Sequence, residues 1–265
     1  SKSPIAFSDY QKKFEIVFEN IQHGNSYLTN LTQPTPVSTN LTLQQLYHVA
    51  VAKFKLYFKD HFAVFSPEPF VKISDGKIYS YPMKGTIDAD IDNAADILKN
   101  DFKEKAEHNT IVDLIRNDLS MVARNVTVKR FQYIEKISTN YKSLLQMSSE
   151  ICGELPDDYL NHLGGIMFKL LPAGSITGAP KEKTCEIIHE AEGYARGFFT
   201  GVFGVFDGKT LESAVMIRFF ENTPDGLIYK SGGGITCFSR AEKEYQEMVD
   251  KVYIPLRDSA PLCED

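Results

Sequence analysis

Hydrophobic residues recur along this chain at two spacings, one typical of helices and one typical of strands. Over residues 5–23, apolar side chains recur every three or four positions and the run stops at Gly24, as in an amphipathic helix that ends at a glycine. Comparable patterns predict further helices over residues 42–59, 92–107, 110–122, 156–168 and 181–192.

Strands are predicted where short apolar or β-branched runs lie between turn residues. The dipeptides Asp75-Gly76 and Asp207-Gly208 each separate two such runs, as expected for antiparallel hairpins. Two prolines at residues 33–36 are expected to end the first strand, and residues 138–155 have no regular pattern. No repeat or long linker divides the chain, so we predict a single domain over residues 1–265. The predicted strands span residues 26–31, 61–66, 70–74, 77–81, 126–137, 198–206 and 211–220.

The stretch YKSGGGITCFSRAEKEYQEMVDKVYIPL, residues 229–256, combines a strand, three glycines and a helix. At Gly232–Gly234 no side chain prevents a ligand from approaching the backbone N–H groups, so we expect a turn that binds an anion. Ser239 and Glu242 have the spacing of a capping box and predict the start of the helix. Pro255 predicts its end, because proline cannot continue the helical hydrogen bonds.

Two predicted helices each carry a pair of glutamates three residues apart. On the last helix, Glu244, Glu247 and Lys251 share one face. The earlier helix repeats the pair with Glu104 and Glu107. Such faces are usually solvated, but Mg²⁺ also binds one or two carboxylates together with substrate oxygens and water. The sequence leaves both interpretations open, and the neighbouring glycines favour a metal-dependent site for a carboxylated or phosphorylated small molecule.

Two further segments are suited to binding an anion. Residues 174–181, GSITGAPK, lead into a helix whose first backbone N–H groups can bind one. They lack the GxxxxGK spacing of an ATP-binding loop. Arg218 lies within the apolar run AVMIRFF. Because burying an unpaired guanidinium is costly, we expect Arg218 to pair with a carboxylate, either of the protein or of a ligand.

Composition excludes several classes of partner. Of 265 residues, 43% are hydrophobic and 24% are charged, and the formal net charge is −6. This balance is ordinary for a soluble globular protein and lacks the basic field that nucleic acid binding requires. No apolar run approaches the roughly 18 residues of a membrane span, and no signal peptide is recognisable. The four cysteines have no metal-binding spacing, so we predict reduced thiols in a cytoplasmic protein.

Five motifs follow one another along the chain: IVDLIRND (111–118), GSITGAPK (174–181), IR (217–218), GGGI (232–235) and EYQEMVDK (244–251). In their order and separation they resemble the chorismate-utilising enzymes. That resemblance implies an α+β fold of antiparallel β-sheets packed as a sandwich with helices on the outside, which binds chorismate with Mg²⁺ in a cleft. Longer members have an additional N-terminal part, which forms an inhibitor pocket in anthranilate synthases. We expect that part to be largely absent here.

The residue before Gly85-Thr86 separates members of that family. Lys84, in YPMKGT, occupies the position of a lysine in aminodeoxychorismate synthase component I, where anthranilate synthases have a small residue. Isochorismate and salicylate synthases, which add water, have a lysine base where this chain has Leu28. The resemblance therefore implies formation of 4-amino-4-deoxychorismate, a precursor of p-aminobenzoate and folate. A glutamine amidotransferase subunit is the expected source of ammonia.

The same resemblance implies a covalent mechanism. Lys84 is expected to attack ring carbon C2 while Glu68, in the motif SPE, gives a proton to the leaving C4 hydroxyl. Ammonia then attacks C4 and displaces Lys84. A covalent amine thus divides one difficult displacement into two easier ones.

Binding roles follow for the other matching residues. The enolpyruvyl carboxylate is expected to contact Arg218 and the backbone of Gly232, Gly233 and Gly234. Mg²⁺ on the ring carboxylate is expected to be bound directly by Glu107 and Glu247, and directly or through water by Glu104 and Glu244. Further substrate contacts are expected from Gly85, Thr86, Gln146, Thr177, Gly178 and Lys251.

Two positions depart from the family pattern. Gln146 replaces a histidine that many relatives have near the leaving hydroxyl. An amide can donate a hydrogen bond but cannot protonate that oxygen at neutral pH, so the acid role falls on Glu68. Val205 replaces a frequent tyrosine, so one hydrogen bond to the enolpyruvyl group is expected to be missing. Two alternatives stay open, anthranilate synthase component I and a chorismate-binding protein with weak or no catalysis.

Overall fold

A computed structural model of the protein describes residues 1–138 and 143–256. Its helices are α1 (Phe7–Gln22), α2 (Leu43–Val49), α3 (Ala94–Asn100), α4 (Phe102–Ser120), α5 (Leu163–Leu170), α6 (Gly174–Thr177), α7 (Lys181–Glu192) and α8 (Ala241–Asp250). A 3-10 turn, Tyr159–His162, precedes α5. Among the described residues, no helix combines the length and the apolar character needed to cross a membrane.

The strands of the described residues form two sheets. They are β1 (Leu28–Pro36), β2 (Phe54–Phe58), β3 (Phe62–Ser66), β4 (Pro69–Ser74), β5 (Lys77–Ser80), β6 (Met83–Asp88), β7 (Arg124–Ser138), β8 (Ser143–Glu154), β9 (Gly178–Ala179), β10 (Val202–Phe206), β11 (Leu211–Val215), β12 (Phe219–Thr223) and β13 (Gly226–Ile235). Three of the cysteines, Cys152, Cys185 and Cys237, are free thiols as predicted, and Cys263 lies outside the described residues.

One sheet has six strands in the order β2-β3-β12-β13-β1-β9. The other has seven, of which β10-β11-β4-β5-β8 form a continuous series. Strand β8 pairs with β7 along one side and with β5 and then β6 along the other. Each of these pairings is antiparallel. The predicted α+β class with antiparallel sheets is therefore confirmed.

The chain passes from one sheet to the other at two adjacent points. Strand β3 belongs to the six-stranded sheet and β4 to the seven-stranded sheet, and Glu68 lies between them. Strands β11 and β12 make the reverse passage, with Arg218 between them. The backbone N–H of Val215 donates to the Glu68 carbonyl at 3.1 Å, and that of Phe65 donates to the Arg218 carbonyl at 3.2 Å. These hydrogen bonds join the two crossings, which together form the seam between the sheets.

Helices α1, α7 and α8 pack together against the six-stranded sheet. Tyr10 and Val17 of α1, Ile187 of α7 and Met248 of α8 meet Leu31 of β1 in one buried cluster. Burying an aliphatic or aromatic side chain of this size contributes roughly 1.5–3 kcal/mol. This cluster fixes α8, and with it Glu244 and Glu247, relative to strands β1 and β13.

Helices α4 and α5 cover the seven-stranded sheet. Leu119 of α4 and Leu170 of α5 pack with Ile73 of β4 and Ile151 of β8, all of them buried. The side chain of Asp101 accepts a hydrogen bond of 2.9 Å from the backbone N–H of Glu104 and thereby caps α4. The two glutamates predicted on this segment therefore lie in the first turns of α4.

The helix predicted over residues 42–59 is wrong beyond Val49. Helix α2 ends there, and residues 54–58 form β2, which pairs with β3 through contacts such as Leu56 with Val64. Apolar residues at 54, 56 and 58 fit a strand as well as a helix. Tertiary pairing decides between the two, because β3 offers β2 a complete set of backbone partners.

The predicted strands also need correction at three places. Residues 211–220 form two strands in different sheets, and Arg218 between them has a φ of 54°. The segment expected to be irregular contains β8, whose residues 143–154 pair on both sides. Strand β1 continues through Pro34 and Pro36. This is tolerated because β1 pairs there only with β13, which leaves its other side free of a ladder.

The last helix begins differently from the prediction. Helix α8 has Arg240 as its N-cap with no side-chain cap, and the Ser239 hydroxyl instead accepts from the backbone N–H of Thr236 at 3.1 Å. The predicted capping box is therefore wrong. Helix α8 also ends at Asp250 and not next to Pro255. The three glycines before it lie in strand β13 rather than in a turn.

A buried ion pair joins the end of α7 to β1. Glu192, which is 2% exposed, accepts from the backbone N–H and the hydroxyl of Thr32 at 2.7 and 2.8 Å. Arg196 donates to both Glu192 oxygens and also to the carbonyls of Asn30 and Ile176. The Glu192 and Arg196 charges and these backbone groups are all hydrogen-bonded within one network, as buried ionic groups require. The Ile176 carbonyl directly precedes Thr177-Gly178, so this network also supports that turn.

We expect Glu192→Gln to destabilise the fold by about 3–5 kcal/mol, because an amide cannot replace both carboxylate oxygens and the Arg196 side chain, only 15% exposed, keeps its charge. Urea unfolding measures the loss. Glu186→Gln on the same helix is the matched control, since the Glu186–Lys183 pair is exposed and such pairs contribute about 0–1 kcal/mol. Equal losses in the two variants would contradict this assignment.

Candidate active site

Glu68 lies at the seam and is held by Ser175. The Ser175 hydroxyl donates to Glu68 Oε1 at 2.6 Å. Burial raises the pKa of the Glu68 carboxyl above its usual range, although the Ser175 hydrogen bond and the charges of Lys84, Arg218 and Lys251 lower it. A carboxyl group with a raised pKa holds its proton closer to neutral pH and can act as an acid. The role predicted for Glu68 is consistent with this environment.

Arg218 sits on the opposite crossing and has no ion-pair partner among the described residues. Its Nε is buried without a hydrogen bond, and its guanidinium lies 5.2 Å from the ring centroid of Tyr253. A positive φ is unusual for a side chain of this size and marks a position fixed by its surroundings. Of the two partners left open by the sequence, a protein carboxylate is not seen in the described residues. The guanidinium is available to a ligand anion.

Lys84 projects from β6 at a bulge. Its strand pairs with β8 in a register that shifts between Lys84 and Thr86, and Gly85 at the shift has a φ of 74°. A bulge of this kind redirects the neighbouring side chain. The Lys84 Nζ lies 3.9 Å from Glu107 Oε2 and 3.4 Å from the position that a Cβ would occupy on Gly234. The amine therefore reaches over the glycine strand.

Strand β13 excludes a side chain at Gly232 and has two carboxylates within contact distance at Gly233. A Cβ on Gly232 would lie 2.2 Å from the Leu31 carbonyl oxygen of β1, which excludes any side chain there. A Cβ on Gly233 would lie 3.5 Å from both Glu244 Oε2 and Glu247 Oε1. The α8 carboxylates thus converge on the space above Gly233. Whether these glycines contact a ligand stays a prediction.

Lys251 connects that carboxylate pair to the strand. Its Nζ contacts Glu247 Oε1 at 2.6 Å and donates to the Gly232 carbonyl at 2.9 Å. Burial lowers the pKa of Lys251, Glu247 opposes this shift, and the charges of Arg218 and Lys84 add to it. Lys84 of β6 and Arg218 of the seam therefore lie close enough to Lys251, at the end of α8, to lower its pKa.

The other glutamate pair faces the bulge of β6. A Cβ on Gly85 would come within 2.8 Å of Glu104 Oε2, and Glu107 has only 10% of its side chain exposed. Glu244 is 4% exposed. The interpretation of both pairs as solvated faces is therefore wrong for Glu107 and Glu244.

Carboxylates of α8 converge over Gly233. Within residues 1–138 and 143–256, no three His, Cys, Asp or Glu side chains form a ready-made metal site. A pair of carboxylates is nevertheless the usual protein contribution to a Mg²⁺ site, because this ion keeps several oxygens from substrate and water. The Glu244 and Glu247 oxygens that converge over Gly233 are donors of the kind that such an ion takes.

The structure gives defined positions to three of the other predicted contacts. Gln146 on β8 is paired with Thr86, next to the bulge that carries Lys84. Gly178 has a φ of 120°, and its Cβ would lie 1.8 Å from the Leu28 carbonyl oxygen, so only glycine is possible there. Thr177 is buried, and its hydroxyl donates to the Ala173 carbonyl at 3.0 Å.

Val205 is placed differently from these contacts. It lies on strand β10 at the sheet edge, opposite Glu212, with 73% of its surface exposed.

The structure adds residues that sequence reasoning missed. Ser175 was seen only as part of a motif, and nothing in the sequence linked it to Glu68. No motif or spacing in the sequence indicated that Tyr253 lies beside Arg218. His108 is fully buried, with Nε2 2.7 Å from the Ser149 hydroxyl, and burial together with the charge of Lys84 lowers the pKa of His108 to about 4. This imidazole is neutral near pH 7 and does not replace the missing histidine as an acid.

Comparison with known proteins identifies related chains. The family described as "chorismate binding enzyme" matches residues 2–257. An "Uncharacterized PabA-like protein" of Haemophilus influenzae is 53% identical over 256 residues, covering 97% of this chain and 78% of the relative. "Aminodeoxychorismate synthase component 1" of Salmonella typhimurium is 33% identical over 265 residues, covering 95% of this chain and 57% of the relative.

A solved structure shows the same architecture. The anthranilate synthase component I of Streptococcus pneumoniae superimposes with a TM-score of 0.82 at 26% identity, over 95% of this chain and 58% of that chain. The chain thus spans somewhat more than half the length of this protein and of the aminodeoxychorismate synthase relative.

Proposed function

We propose that this chain, which belongs to the chorismate binding enzyme family, converts chorismate and ammonia to 4-amino-4-deoxychorismate. One observation carries the proposal. The Lys84 Nζ lies 3.4 Å from the position that a Cβ would occupy on Gly234, and the charge of Lys84 lowers the pKa of the Glu68 carboxyl. A nucleophilic amine and an acid with a raised pKa therefore face one small region.

Chorismate carries two carboxylates, and the site offers a separate place for each. Arg218 has an unpaired Nε and no ion-pair partner among the described residues, so it suits the enolpyruvyl carboxylate. For the ring carboxylate we propose Mg²⁺ held by Glu244 and Glu247, with Glu104 and Glu107 facing it from α4. When bound, the ion supplies positive charge that holds and polarises this end of the substrate.

The chemistry proposed for the protein side chains has two stages. The unprotonated amine of Lys84 forms a bond to ring carbon C2, both ring double bonds shift by one position, and the C4 hydroxyl leaves as water with a proton from Glu68. Ammonia then bonds to C4, both double bonds shift back, and the C2–N bond to Lys84 breaks. Splitting the displacement in this way replaces one poor substitution with two assisted ones.

The source of the ammonia belongs to the same proposal. A glutamine amidotransferase partner would deliver ammonia, and glutamine-dependent turnover on mixing with candidate glutaminases would test this.

Anthranilate synthesis is the second candidate function, favoured by the similarity to the Streptococcus pneumoniae anthranilate synthase at 26% identity. The position of the amino group in the product separates the two reactions.

Arg218→Lys is expected to raise KM for chorismate by at least about 30-fold while the protein stays folded, because a charge-assisted bidentate contact is worth about 2–5 kcal/mol. Steady-state kinetics and circular dichroism measure the two effects. Arg116→Lys, at an exposed ion pair with Asp113, is the control and should leave KM unchanged. Unfolding of Arg218→Lys without a binding defect would make the arginine purely structural.

Glu247→Gln is expected to raise the Mg²⁺ concentration needed for half-maximal chorismate binding by about tenfold or more. Its stability should change by less than about 1 kcal/mol, since Glu247 is half exposed and its pair with Lys251 is partly solvated. Glu242→Gln on the same helix is the control. Calorimetric titration decides the matter, and an unchanged Mg²⁺ requirement in Glu247→Gln would return this residue to the solvated-face interpretation.

Lys84 is expected to determine the product. Given chorismate, Mg²⁺ and ammonium, the protein should release a compound that an aminodeoxychorismate lyase converts to p-aminobenzoate. Mass spectrometry should find an adduct on Lys84 when ammonia is withheld, because the second stage then cannot proceed. Lys84→Ala should lose the adduct and most of the para product.

Two results would contradict this assignment. Release of anthranilate by the wild-type protein would favour the second candidate. Full para-product activity in Lys84→Ala would show that ammonia attacks without a covalent lysine.

A further inference from the structure

We propose that Tyr253 is a specificity-determining residue, whose ring covers the Arg218 guanidinium and shields from water the carboxylate that binds there. This inference rests on the proposed function, in which Arg218 binds the enolpyruvyl carboxylate of chorismate. It adds a residue that lies outside the matching motifs, since the last of them, EYQEMVDK, ends at Lys251.

The Arg218 guanidinium has an aromatic neighbour and lacks an anionic one among the described residues. Its central carbon lies 5.2 Å from the ring centroid of Tyr253, within the roughly 6 Å at which an aromatic face attracts a cation. Its Nε is buried without a hydrogen-bond partner, although buried polar groups are nearly always hydrogen-bonded. A carboxylate, which accepts from two guanidinium nitrogens at once, is the partner that this arrangement lacks.

The core closes the guanidinium off on one side. Tyr229 is fully buried, and its hydroxyl has no hydrogen-bond partner. Burial raises the pKa of Tyr229 and the Arg218 charge lowers it, so these two side chains lie close together. Tyr229 packs with Phe65 and Phe220 in a buried cluster, which leaves no room for a ligand there. Tyr253, in contrast, is 45% exposed and borders the guanidinium where solvent has access.

The backbone that carries Tyr253 is fixed on both sides. Val252, directly before it, is buried in a hydrophobic cluster. Two residues after it, the Pro255 carbonyl accepts a hydrogen bond of 2.6 Å from the backbone N–H of Val51. The ring is therefore held beside Arg218 by its own segment and is in place before a ligand binds.

A ring in this position strengthens a guanidinium–carboxylate pair in two ways. Stacking holds the plane of the guanidinium, so less conformational freedom is lost when the carboxylate binds. The ring also excludes water from one face of the pair, and opposite charges attract more strongly where water is excluded. A ligand without a carboxylate at Arg218 gains nothing from either effect. Tyr253 thus favours ligands that carry the enolpyruvyl carboxylate.

Tyr253→Ala should raise Kd for chorismate by about 10-fold, in line with the loss of a ring contact to a partly desolvated cation. Tyr253→Phe keeps the ring and should stay within about twofold of the parent protein. Calorimetric titration in the presence of Mg²⁺ measures both. The parent protein and all variants carry Lys84→Ala, so that no covalent adduct contributes to the measured Kd.

Two controls separate an effect on the carboxylate from a general effect on the fold. The ligand 3-hydroxybenzoate has a ring carboxylate and no enolpyruvyl group, so Tyr253→Ala should leave its Kd unchanged. Tyr133→Ala removes a comparable ring on strand β7, where the guanidinium carbon of Arg130 lies 3.7 Å from the ring centroid. That variant should bind both ligands as the parent protein does.

Tyr253→Leu keeps apolar contacts without a ring and decides the matter if circular dichroism shows that Tyr253→Ala is unfolded. Chorismate binding by either ringless variant should also weaken more steeply with added salt, because the charge pair is then open to water. Unchanged or tighter chorismate binding without the ring overturns the proposal, as does an equal loss for both ligands. A wild-type protein that binds chorismate but forms no amino product would refute the proposed function, and the binding comparison would still decide the role of Tyr253.

Discussion

Two strand crossings that must occur side by side determine the rest of this structure. Strands β3 and β12 pair in one sheet, and β4 and β11 pair in the other, so both chain segments have to change sheets at the same place. Backbone groups at such a crossing lose their ladder partners, and unpaired buried groups are costly. Here the Glu68 and Arg218 carbonyls accept hydrogen bonds across the seam. The two crossings thereby place the Glu68 carboxyl and the Arg218 guanidinium at neighbouring points of the seam.

Cationic side chains gather at this seam in a protein whose formal net charge is negative. The chain carries a formal net charge of −6, yet Lys84, Arg218 and Lys251 all act electrostatically on Glu68. Concentrating cations in a partly buried region strengthens their attraction for a small dianion, because the surrounding protein screens charge less than water does. The net negative surface elsewhere disfavours larger polyanions. The proposed recognition of a small acid thus depends on where the charges lie and not on their total.

Sequence patterns predicted the parts of the fold that local chemistry determines. Helices α1 and α7 and the hairpin at Asp75-Gly76 were predicted because spacing and turn residues are sufficient there. The boundary after Val49 and the break at Arg218 were missed, because both depend on which strand lies alongside.

The candidate site shows the same division between local and tertiary information. Lys84, Glu68 and the glutamate pairs were found through motifs that resemble a known family. The contacts of Ser175 with Glu68 and of Tyr253 with Arg218 could not be predicted, since they join segments far apart in sequence.

Strand β1 shows what a large separation in sequence implies for the order in which the fold forms. Its partner β13 lies roughly 200 residues later in the sequence, and pairings of that separation form slowly because a large loop must close first. Until β13 arrives, β1 is a strand with an open edge, and the glycines over which Lys84 reaches are not in place. A nascent chain that has completed the seven-stranded sheet up to β8 therefore still has no binding site. Completion of the candidate site therefore depends on the long-range pairing of β1 with β13.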